Sequence, residues 1–359
     1  MNLKKFAATI AVVLEVVLAG QLPLSAQEFP KHHHYKLIDV GTFGGPGSGI
    51  ENPSSPVLNQ RGLMVGGADT SAPDPFAPDC YLDCWVDLAF LLHDGVVTPL
   101  GPPPSGAGLS SSAYAINDAG QVVGQAQNGA FDPLTGWPQT HAVLWQSGQT
   151  VAIDLGALGG TQSVANVINN SGQVVGAALN ATPDPFANSV VASCIFYPPL
   201  EGVCGTFAQT LLFYPGTTET HAFIWTKAQG MQDLGTLGGP DSAAWSINDR
   251  GQIAGESFTS FTANPSSGVP TIDPFFWDPK DRKMLDLGGL GGTFGTTLFM
   301  NGQGQVVGLS NLSGDTTYHP FIWSKSEGMK DLGTLGGTIA APHWINDAGE
   351  VVGFANLSG

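Results

Sequence analysis

Short hydrophobic runs of about five residues, each bounded by a polar or glycine-rich turn, recur along this chain in a fixed order. Each recurrence has a strand-like run ending in Asn, a tight turn closed by Gly, and a second run such as Gln-Val-Val-Gly. Short runs with this punctuation are typical of β-strands in an all-β fold. Six copies centre on Asn59, Asn117, Asn169, Asn248, Asn301 and Asn346.

The spacing of the copies defines a repeated unit. Consecutive copies are 58, 52, 79, 53 and 45 residues apart, so the shortest spacing is the bare module and the longer ones contain insertions. The turn Asn-Asp-Ala-Gly places residues that tolerate a type I turn before a Gly suited to left-handed backbone, which predicts an antiparallel hairpin. In the fourth unit the predicted strands are Ala243–Asn248, Gly251–Glu256, Asp273–Trp277 and Met284–Gly288.

The third strand of each unit is apolar on both faces. In the phrase His-Ala-Phe-Ile-Trp at 221–225, Phe223 and Trp225 point to one face, while Ala222 and Ile224 point to the other. A strand of this kind must be covered on both sides, as it is in a sheet packed between two other sheets. Near-copies stand at 141–145, 273–277 and 319–323.

Four-stranded units repeated at this period are typical of a β-propeller. We therefore predict one all-β domain over residues 35–359, a β-propeller of six four-stranded blades with an incomplete last blade. We expect Tyr35–Asp39 to join the last blade and close the ring. Because the final Asn356–Gly359 repeats Asn311–Gly314, which a third strand follows, we also expect the natural product to continue. The predicted blades start near residues 50, 110, 163, 242, 295 and 340.

Three linked phrases carry a family resemblance. His-Ala-Phe-x-Trp, Asp-Leu-Gly-Thr-Leu-Gly-Gly and Ile-Asn-x-x-Gly-Gln-Val-Val-Gly recur in order over roughly residues 35–359, and they resemble the bacterial HAF repeat family of extracellular repeat proteins, with WD-like blades. The first unit departs most, with Ala89–Leu92 as its third strand and residues 99–101 as its fourth. The resemblance implies an extracellular repeat protein, and the family carries no assigned reaction.

The amino terminus and the charge predict an exported protein. Lys4 and Lys5 precede an apolar run, Phe6–Leu18, so we predict a signal peptide over residues 1–26 and a leader over 27–34. A retained membrane anchor is the alternative. The net charge of −17 makes nucleic acid and anionic membrane poor partners. We expect a monomer, secreted or at the cell surface, with no membrane insertion after cleavage.

The four cysteines form two local pairs, each inside an insertion between a second and a third strand. We predict disulfides Cys80–Cys84 and Cys194–Cys204, because local pairs in an exported protein are typical of loop disulfides. A zinc site is the alternative, but it needs four convergent ligands, and these pairs lie in different units.

The insertions share a phrase and are the candidate binding face. Pro-Asp-Pro-Phe occurs in the first and third units, with an echo in the second, and all lie at the end where one unit passes to the next. Loops grouped at one end of a repeat scaffold commonly carry function. Variable loops with no binding role are the alternative. The candidate binding residues are Asp74, Phe76, Asp132, Trp137, Asp184 and Phe186.

Two repeated residue types invite a metal interpretation. An Asp opens each Asp-Leu-Gly phrase, and a ring of carboxylates is able to bind Ca²⁺. We favour a structural bond instead, in which the Asp accepts from loop amides with help from a His on the neighbouring strand. His32–His34 are interpreted as a solvated tail, so we predict no bound cofactor and leave Ca²⁺ open. The residues concerned are Asp39, Asp154, Asp233, Asp286 and Asp331, with His141, His221 and His319.

The sequence contains no recognised catalytic motif, including Gly-x-Ser-x-Gly, His-Glu-x-x-His and a phosphate loop. We therefore predict a non-enzymatic binding module for an extracellular protein or glycan. The alternatives are a glycan-processing enzyme, which needs two carboxylates at one pocket, and a structural module of the cell surface.

Overall fold

The structure, a computed structural model, describes most of the chain from residue 39 onward. The chain divides into Met1–Asp39, of which only Asp39 is described, and Val40–Gly359, which contains all the strands below. The predicted signal peptide, the leader and nearly all of the predicted closing strand Tyr35–Asp39 lie outside the described residues. These are 39–50, 55–76, 84–106, 109–187, 190–192, 206–208, 218–265 and 267–358.

The described strands form six sheet units, named units 1 to 6 in chain order. Unit 1 contains β1 (Gly44–Gly49), β2 (Met64–Pro73), β3 (Trp85–His93) and β4 (Val96–Leu100). After a 3₁₀ turn at Pro104–Gly106, unit 2 contains β5 (Ser111–Ile116), β6 (Val122–Phe131), β7 (Pro138–Trp145) and β8 (Ile153–Asp154).

Unit 3 carries an insertion with its own small sheet. Its main strands are β9 (Gly159–Ile168), β10 (Val174–Pro183), β13 (Thr218–Thr226) and β14 (Gly230–Asp233). Between β10 and β13, a separate two-stranded sheet pairs β11 (Val190–Ala192) with β12 (Thr206–Ala208).

The last three units repeat the same order. Unit 4 contains β15 (Ser242–Ile247), β16 (Ile253–Phe258), β17 (Ile272–Trp277) and β18 (Met284–Asp286). Unit 5 contains β19 (Gly291–Met300), β20 (Val306–Leu312), β21 (Tyr318–Ser324) and β22 (Gly328–Asp331). Unit 6 is the hairpin of β23 (Gly336–Ile345) and β24 (Val351–Leu357).

Within units 1 to 5 each strand pairs antiparallel with the next main strand of the unit. The all-β class is therefore confirmed. A single parallel pair, Ile272 with Phe294, joins units 4 and 5. The units begin at Gly44, Ser111, Gly159, Ser242, Gly291 and Gly336, within four residues of the predicted starts except for the first, which begins six residues early.

Two glycine positions explain why the repeated phrase keeps its form. The Gly that closes the first turn has a positive φ, +80° at Gly120 and +75° at Gly172, which only Gly adopts without strain. The Gly that ends Val-Val-Gly lies against the first strand. At Gly124 an added Cβ would stand 1.9 Å from the Ser112 carbonyl oxygen, which forbids any side chain.

The core lies between successive units. At the junction of units 1 and 2, Val65 and Leu100 of unit 1 pack with Ile116, Val143 and Trp145 of unit 2. Equivalent clusters join units 2 and 3, units 3 and 4, and units 4 and 5. Each inner unit thus buries both faces, as the apolar third strand predicts.

A ladder of asparagine side chains crosses the turns of all six units. The Nδ2 of Asn117 donates to the Asn169 carbonyl at 3.0 Å, and the Nδ2 of Asn169 donates to the Asn248 carbonyl at 3.0 Å. In the same residues Oδ1 accepts backbone N–H groups of its own turn. The repeated Asn therefore shapes its turn and links it to the next unit. The remaining rungs run from Asn59 to Asn117, Asn248 to Asn301 and Asn301 to Asn346.

Unit 6 presents an uncovered apolar face. Val352 is 62 % exposed, whereas the equivalent residues of the other five units are 0 % exposed. Trp344 and Leu357 are exposed on the same hairpin. In the described part of the chain, no strand of unit 6 pairs with unit 1, and no closed ring is present. The equivalents of Val352 are Val65, Val123, Val175, Ala254 and Val307.

Among the described residues no helix is long and apolar enough to cross a membrane.

Candidate functional site

The links from second to third strands lie at the end of the sheets where each unit passes to the next, here called the loop end. The links comprise residues 74–84, 132–137, 184–217, 259–271 and 313–317. The loop end is held together across units, since the Thr161 hydroxyl at the start of unit 3 donates to the Asp132 carboxylate of unit 2.

The repeated Asp of the insertions shapes its own loop. Asp74 Oδ1 accepts from Phe76 N–H at 2.8 Å, and Asp184 Oδ1 accepts from Phe186 N–H at 2.8 Å. This is the Asx-turn role that makes Asp common in loops. In three of the candidate binding residues, Asp74, Asp132 and Asp184, a carboxylate oxygen therefore accepts a hydrogen bond from a backbone N–H of its own loop.

The aromatic candidates divide between the surface and the interior. Phe76 meets Phe131 edge to face, with ring centroids 5.4 Å apart, so the loops of units 1 and 2 touch. Phe186 instead packs against Phe258, at 6.3 Å, in a cluster with Val269 and Ile272. Phe186 is thus part of an interior cluster.

Trp137 is half-buried, and its backbone carbonyl accepts from Asp132 N–H at 2.8 Å. Other large apolar side chains, in or next to the insertions, are more exposed than Trp137. Leu134 is 77 % exposed, Phe261 57 % and Phe131 52 %. None of these three is among the residues predicted from the sequence, although Phe131 and Leu134 flank the repeated Asp-Pro.

The repeated His and Asp pair with each other. His141 Nδ1 lies 2.9 Å from Asp154, and Asp154 also accepts from Gly156 N–H at 2.7 Å. Burial acts to raise the pKa of Asp154, but the bonds from His141 and Gly156 outweigh it and leave the pKa below its usual value. The structural role expected for these residues is therefore present. The same pattern occurs in His221–Asp233–Gly235 and His319–Asp331–Gly333.

Unit 4 departs from this pattern because Asp273 occupies the position of the His. Burial, and then the charge of Asp286 on the neighbouring strand, raise the pKa of Asp273 to about 6. Asp286 still accepts from Gly288 N–H at 2.7 Å. Unit 4 therefore pairs two acids where units 2, 3 and 5 pair an acid with a base.

The junction of units 2 and 3 satisfies its buried polar groups. Asp132 is 3 % exposed, and it accepts from Leu134 and Thr135 N–H as well as from the Thr161 hydroxyl. Burial acts to raise the pKa of Asp132, but these hydrogen bonds leave it below its usual value. The hydroxyl and N–H of Thr140 both donate to Gln162 Oε1, at 2.7 and 2.8 Å.

The junction of units 3 and 4 uses the same positions with different residues. Asp184 replaces Asp132, Pro240 replaces Thr161, and Asp241 replaces Gln162. Thr220 N–H donates to Asp241 Oδ1 at 2.7 Å, as Thr140 does to Gln162. Asp184 Oδ2, Asp241 Oδ2 and Thr220 Oγ1 are buried, and none has a hydrogen-bond partner.

Electrostatics distinguish this second junction further. Asp241 is 0 % exposed, and burial followed by the charge of Asp184 raises its pKa well above the usual value. Burial, followed by the charge of Glu219, also raises the pKa of Asp184, against a backbone hydrogen bond from Phe186. Glu219 itself accepts from Asn180 Nδ2 at 3.1 Å and lies 3.6 Å from His221 Nε2. Three carboxyl groups therefore meet where the preceding junction has one.

A cleft of about 410 Å³ opens between units 3 and 4. Its lining includes Gln173 from a first turn, Asp233 from β14, and Trp277 and Arg282 from unit 4. Asp233 is already bonded to His221 and Gly235, so the cleft offers amide, aromatic and guanidinium groups rather than a free acid.

Within the described part of the chain, no three His, Cys, Asp or Glu side chains form a ready set of metal ligands. Cys84 is not a free thiol. Its predicted partner Cys80, and both Cys194 and Cys204, lie outside the described residues, so both disulfides stay predictions.

Comparison with known proteins gives little. No protein-family model matches this chain, and none of the curated proteins matches it. Among solved structures, the chain is similar to a puromycin hydrolase, an S511A mutant complexed with PGG, at 14 % sequence identity and a TM-score of 0.31. The match covers 74 % of this chain and 46 % of the hydrolase. A TM-score this low carries no argument about fold or activity.

Proposed function

We propose that this chain is a secreted, non-catalytic binding module that presents its loop end to an extracellular protein or glycan. The single observation that carries the proposal is the set of exposed apolar side chains on that end, Phe131, Leu134 and Phe261. Exposed apolar groups gathered at one surface are characteristic of recognition sites. The proposal requires neither the His32–His34 leader nor a cofactor.

The contact between Phe76 and Phe131 supports a continuous surface. Because the two rings meet across units 1 and 2, a ligand that covers Phe131 also reaches the first insertion. Aromatic side chains contribute large contact areas at low entropic cost, which suits both protein and sugar ligands. Asp74 and Asp132 keep the loops in shape beneath this surface.

The binding surface is tested with a double variant. Phe131→Ser with Leu134→Ser removes the exposed apolar groups, and Val96→Ser is the matched control because Val96 is 65 % exposed on β4, away from the insertions. Glycan and extracellular-protein arrays probed with the purified chain should give a ligand. We expect at least a tenfold loss of affinity in the double variant and no change in Val96→Ser.

Two results would contradict this proposal. One is full binding by the double variant, which would place the ligand elsewhere. The other is an absence of any ligand on the arrays together with turnover in hydrolase screens. Glu256 is the first residue to mutate in that case, since burial raises its pKa to about 7 and such a pKa suits a general acid.

We also propose that the units are HAF-type blades of a six-bladed β-propeller with an incomplete sixth blade. Support comes from the meander order of units 1 to 5, from the burial of both faces of each inner unit, and from the three linked sequence phrases. In a closed ring Val352 would be covered. Val352→Asp should then lower the melting temperature sharply, whereas an unchanged melting temperature would show an open face and no ring.

Export is proposed from the apolar run after Lys5, and the mature chain is expected to begin at Gln27. Sequencing the amino terminus of the protein recovered from culture medium checks both points. A chain that stays with the cells and begins at Met1 would contradict them.

A further inference from the structure

The junction of units 3 and 4 contains more buried acceptors than donors. Asp241 is 0 % exposed and Asp184 is 8 % exposed, and each keeps one carboxylate oxygen without a hydrogen-bond donor. A buried carboxylate oxygen without a partner costs free energy, so native proteins provide it with a proton, a donor or a cation.

The donors available at the preceding junction are missing here. Thr161 supplies the hydroxyl that Asp132 accepts, and the residue at its position in unit 4 is Pro240, which has neither hydroxyl nor N–H. Among the ion pairs of the described residues, none joins a Lys or Arg to Asp184 or Asp241. The protein therefore provides no cationic side chain for either oxygen within that part of the chain.

Thr220 supplies an independent sign of a ligand. Its side chain is 0 % exposed, and its hydroxyl has no partner. The equivalent hydroxyl, that of Thr140, donates to Gln162 at 2.7 Å, and Gln162 occupies the position of Asp241. Thr220 N–H donates to Asp241 Oδ1 at 2.7 Å, so Thr220 lies directly beside Asp241, but its hydroxyl does not make the bond that the Thr140 hydroxyl makes. Thr218 Oγ1, two residues earlier on β13 and so on the same face of the strand, is also buried without a partner.

Carboxylate and hydroxyl oxygens are ligands for a hard cation, and Ca²⁺ accepts irregular sets of six to eight of them. We propose that Asp184 Oδ2, Asp241 Oδ2 and Thr220 Oγ1 bind one Ca²⁺ between units 3 and 4. Thr218 Oγ1 and water complete its coordination. Glu219, held by Asn180 and His221, adds negative charge beside the site without acting as a ligand.

The cation would fasten the two units to each other. Asp184 directly follows β10 of unit 3, and Asp241 directly precedes β15 of unit 4, so a shared ion bridges the insertion of one unit to the start of the next. At the preceding junction a hydroxyl-to-carboxylate bond makes the same connection. In this proposal Ca²⁺ makes the connection between units that the hydrogen bonds of Thr161 and Gln162 make at the preceding junction.

The test is calcium binding by the full chain after removal of metals with a chelator. Calorimetric titration at neutral pH should show one Ca²⁺ per chain in the wild type, and Ca²⁺ should raise the melting temperature. Asp241→Asn and Asp184→Asn should each weaken binding at least tenfold. Asp132→Asn is the matched control, because Asp132 holds the equivalent position with all its bonds satisfied, and it should keep the wild-type response.

Each other result would overturn the proposal. Absence of Ca²⁺ binding by the wild type would show that protons, not a cation, neutralise the two acids. Binding that survives in both Asp241→Asn and Asp184→Asn would place the ion at another site. Loss of binding in Asp132→Asn alone would assign the ion to the junction of units 2 and 3. Circular dichroism of each variant confirms that the β-structure is retained.

Discussion

Asp132 and Asp184 occupy the same position in successive units, yet they lie in opposite electrostatic environments. Hydrogen bonds lower the pKa of Asp132, whereas burial and the charge of Glu219 raise the pKa of Asp184. The difference arises from two neighbouring residues, because Thr161 and Gln162 become Pro240 and Asp241 in the next unit. A repeat can therefore keep its backbone and change the chemistry of a junction through the residues that satisfy one carboxylate.

The largest expected loss of stability comes from removing the asparagine ladder, which the two junctions share. The rungs of the asparagine ladder have the same geometry in both, at 3.0 Å from Asn117 to Asn169 and from Asn169 to Asn248. Asn117→Ala and Asn169→Ala each remove that bond and the acceptor of the turn, and each should cost about 2–3 kcal/mol of unfolding free energy.

Chemical denaturation of the two variants in the presence of a chelator measures these costs. Equal losses of unfolding free energy in the two variants would show that the junctions differ only at the loop end and not at the asparagine ladder. A cost at Asn169 that exceeds the cost at Asn117 by more than about 1 kcal/mol would contradict this division, since it would couple the ladder to the acidic cluster.

A smaller difference in stability is expected between variants of Asp132 and Asp184. Asp132→Asn weakens three hydrogen bonds to a charged acceptor and should cost about 2 kcal/mol at neutral pH in a chelator. Asp184→Asn removes a charge that is buried near other acids and should be neutral or slightly stabilising under the same conditions. Thermal unfolding of the pair of variants measures the difference, and the reverse order of stability would show that the contrast is misassigned.

The smallest effect is the pH dependence that the acidic junction adds. Asp241 has a raised pKa when folded and a value near 3.8 when unfolded, so the folded chain binds this proton more tightly. Its contribution to stability is full below pH 3.8 and is lost as the pH rises through the folded pKa. We expect the stability of the wild type to fall across this window in a chelator.

The comparison variant for that measurement is Asp241→Asn, which keeps an acceptor for Thr220 N–H and lacks the titration. Asp273 and Glu256 have raised pKa values as well, about 6 and about 7, so only the difference between wild type and variant reports Asp241. Parallel stability profiles for the two proteins would contradict the assignment.

The repeat made most of the architecture predictable. The turn glycines require positive φ, and the Val-Val-Gly glycine lies against a carbonyl, so both positions are recognisable in every unit. The two-sided apolar third strand correctly predicts stacked sheets. The pairing of His141 with Asp154 was also expected, because His and Asp recur 12 or 13 residues apart in three units.

Other features depend on contacts that spacing does not reveal. The asparagine ladder joins residues at least 45 positions apart, so the sequence shows the Asn of the turn but not its partner in the next unit. Phe186 resembles Phe76 in sequence but packs into a cluster with Phe258. The change from Gly-Gly-Thr-Gln-Ser to Gly-Gly-Pro-Asp-Ser at 159–163 and 238–242 was a readable signal of the acidic junction.

The asparagine ladder has a direction, because every rung donates from one unit to the carbonyl of the following unit. A duplicated unit inserted between two existing ones would receive a bond on one side and give one on the other. The ladder by itself would therefore tolerate the gain or loss of a whole module, whereas the side-chain contacts at the loop end are matched between neighbours. A module placed with its strands in the opposite direction would neither receive nor give such a bond.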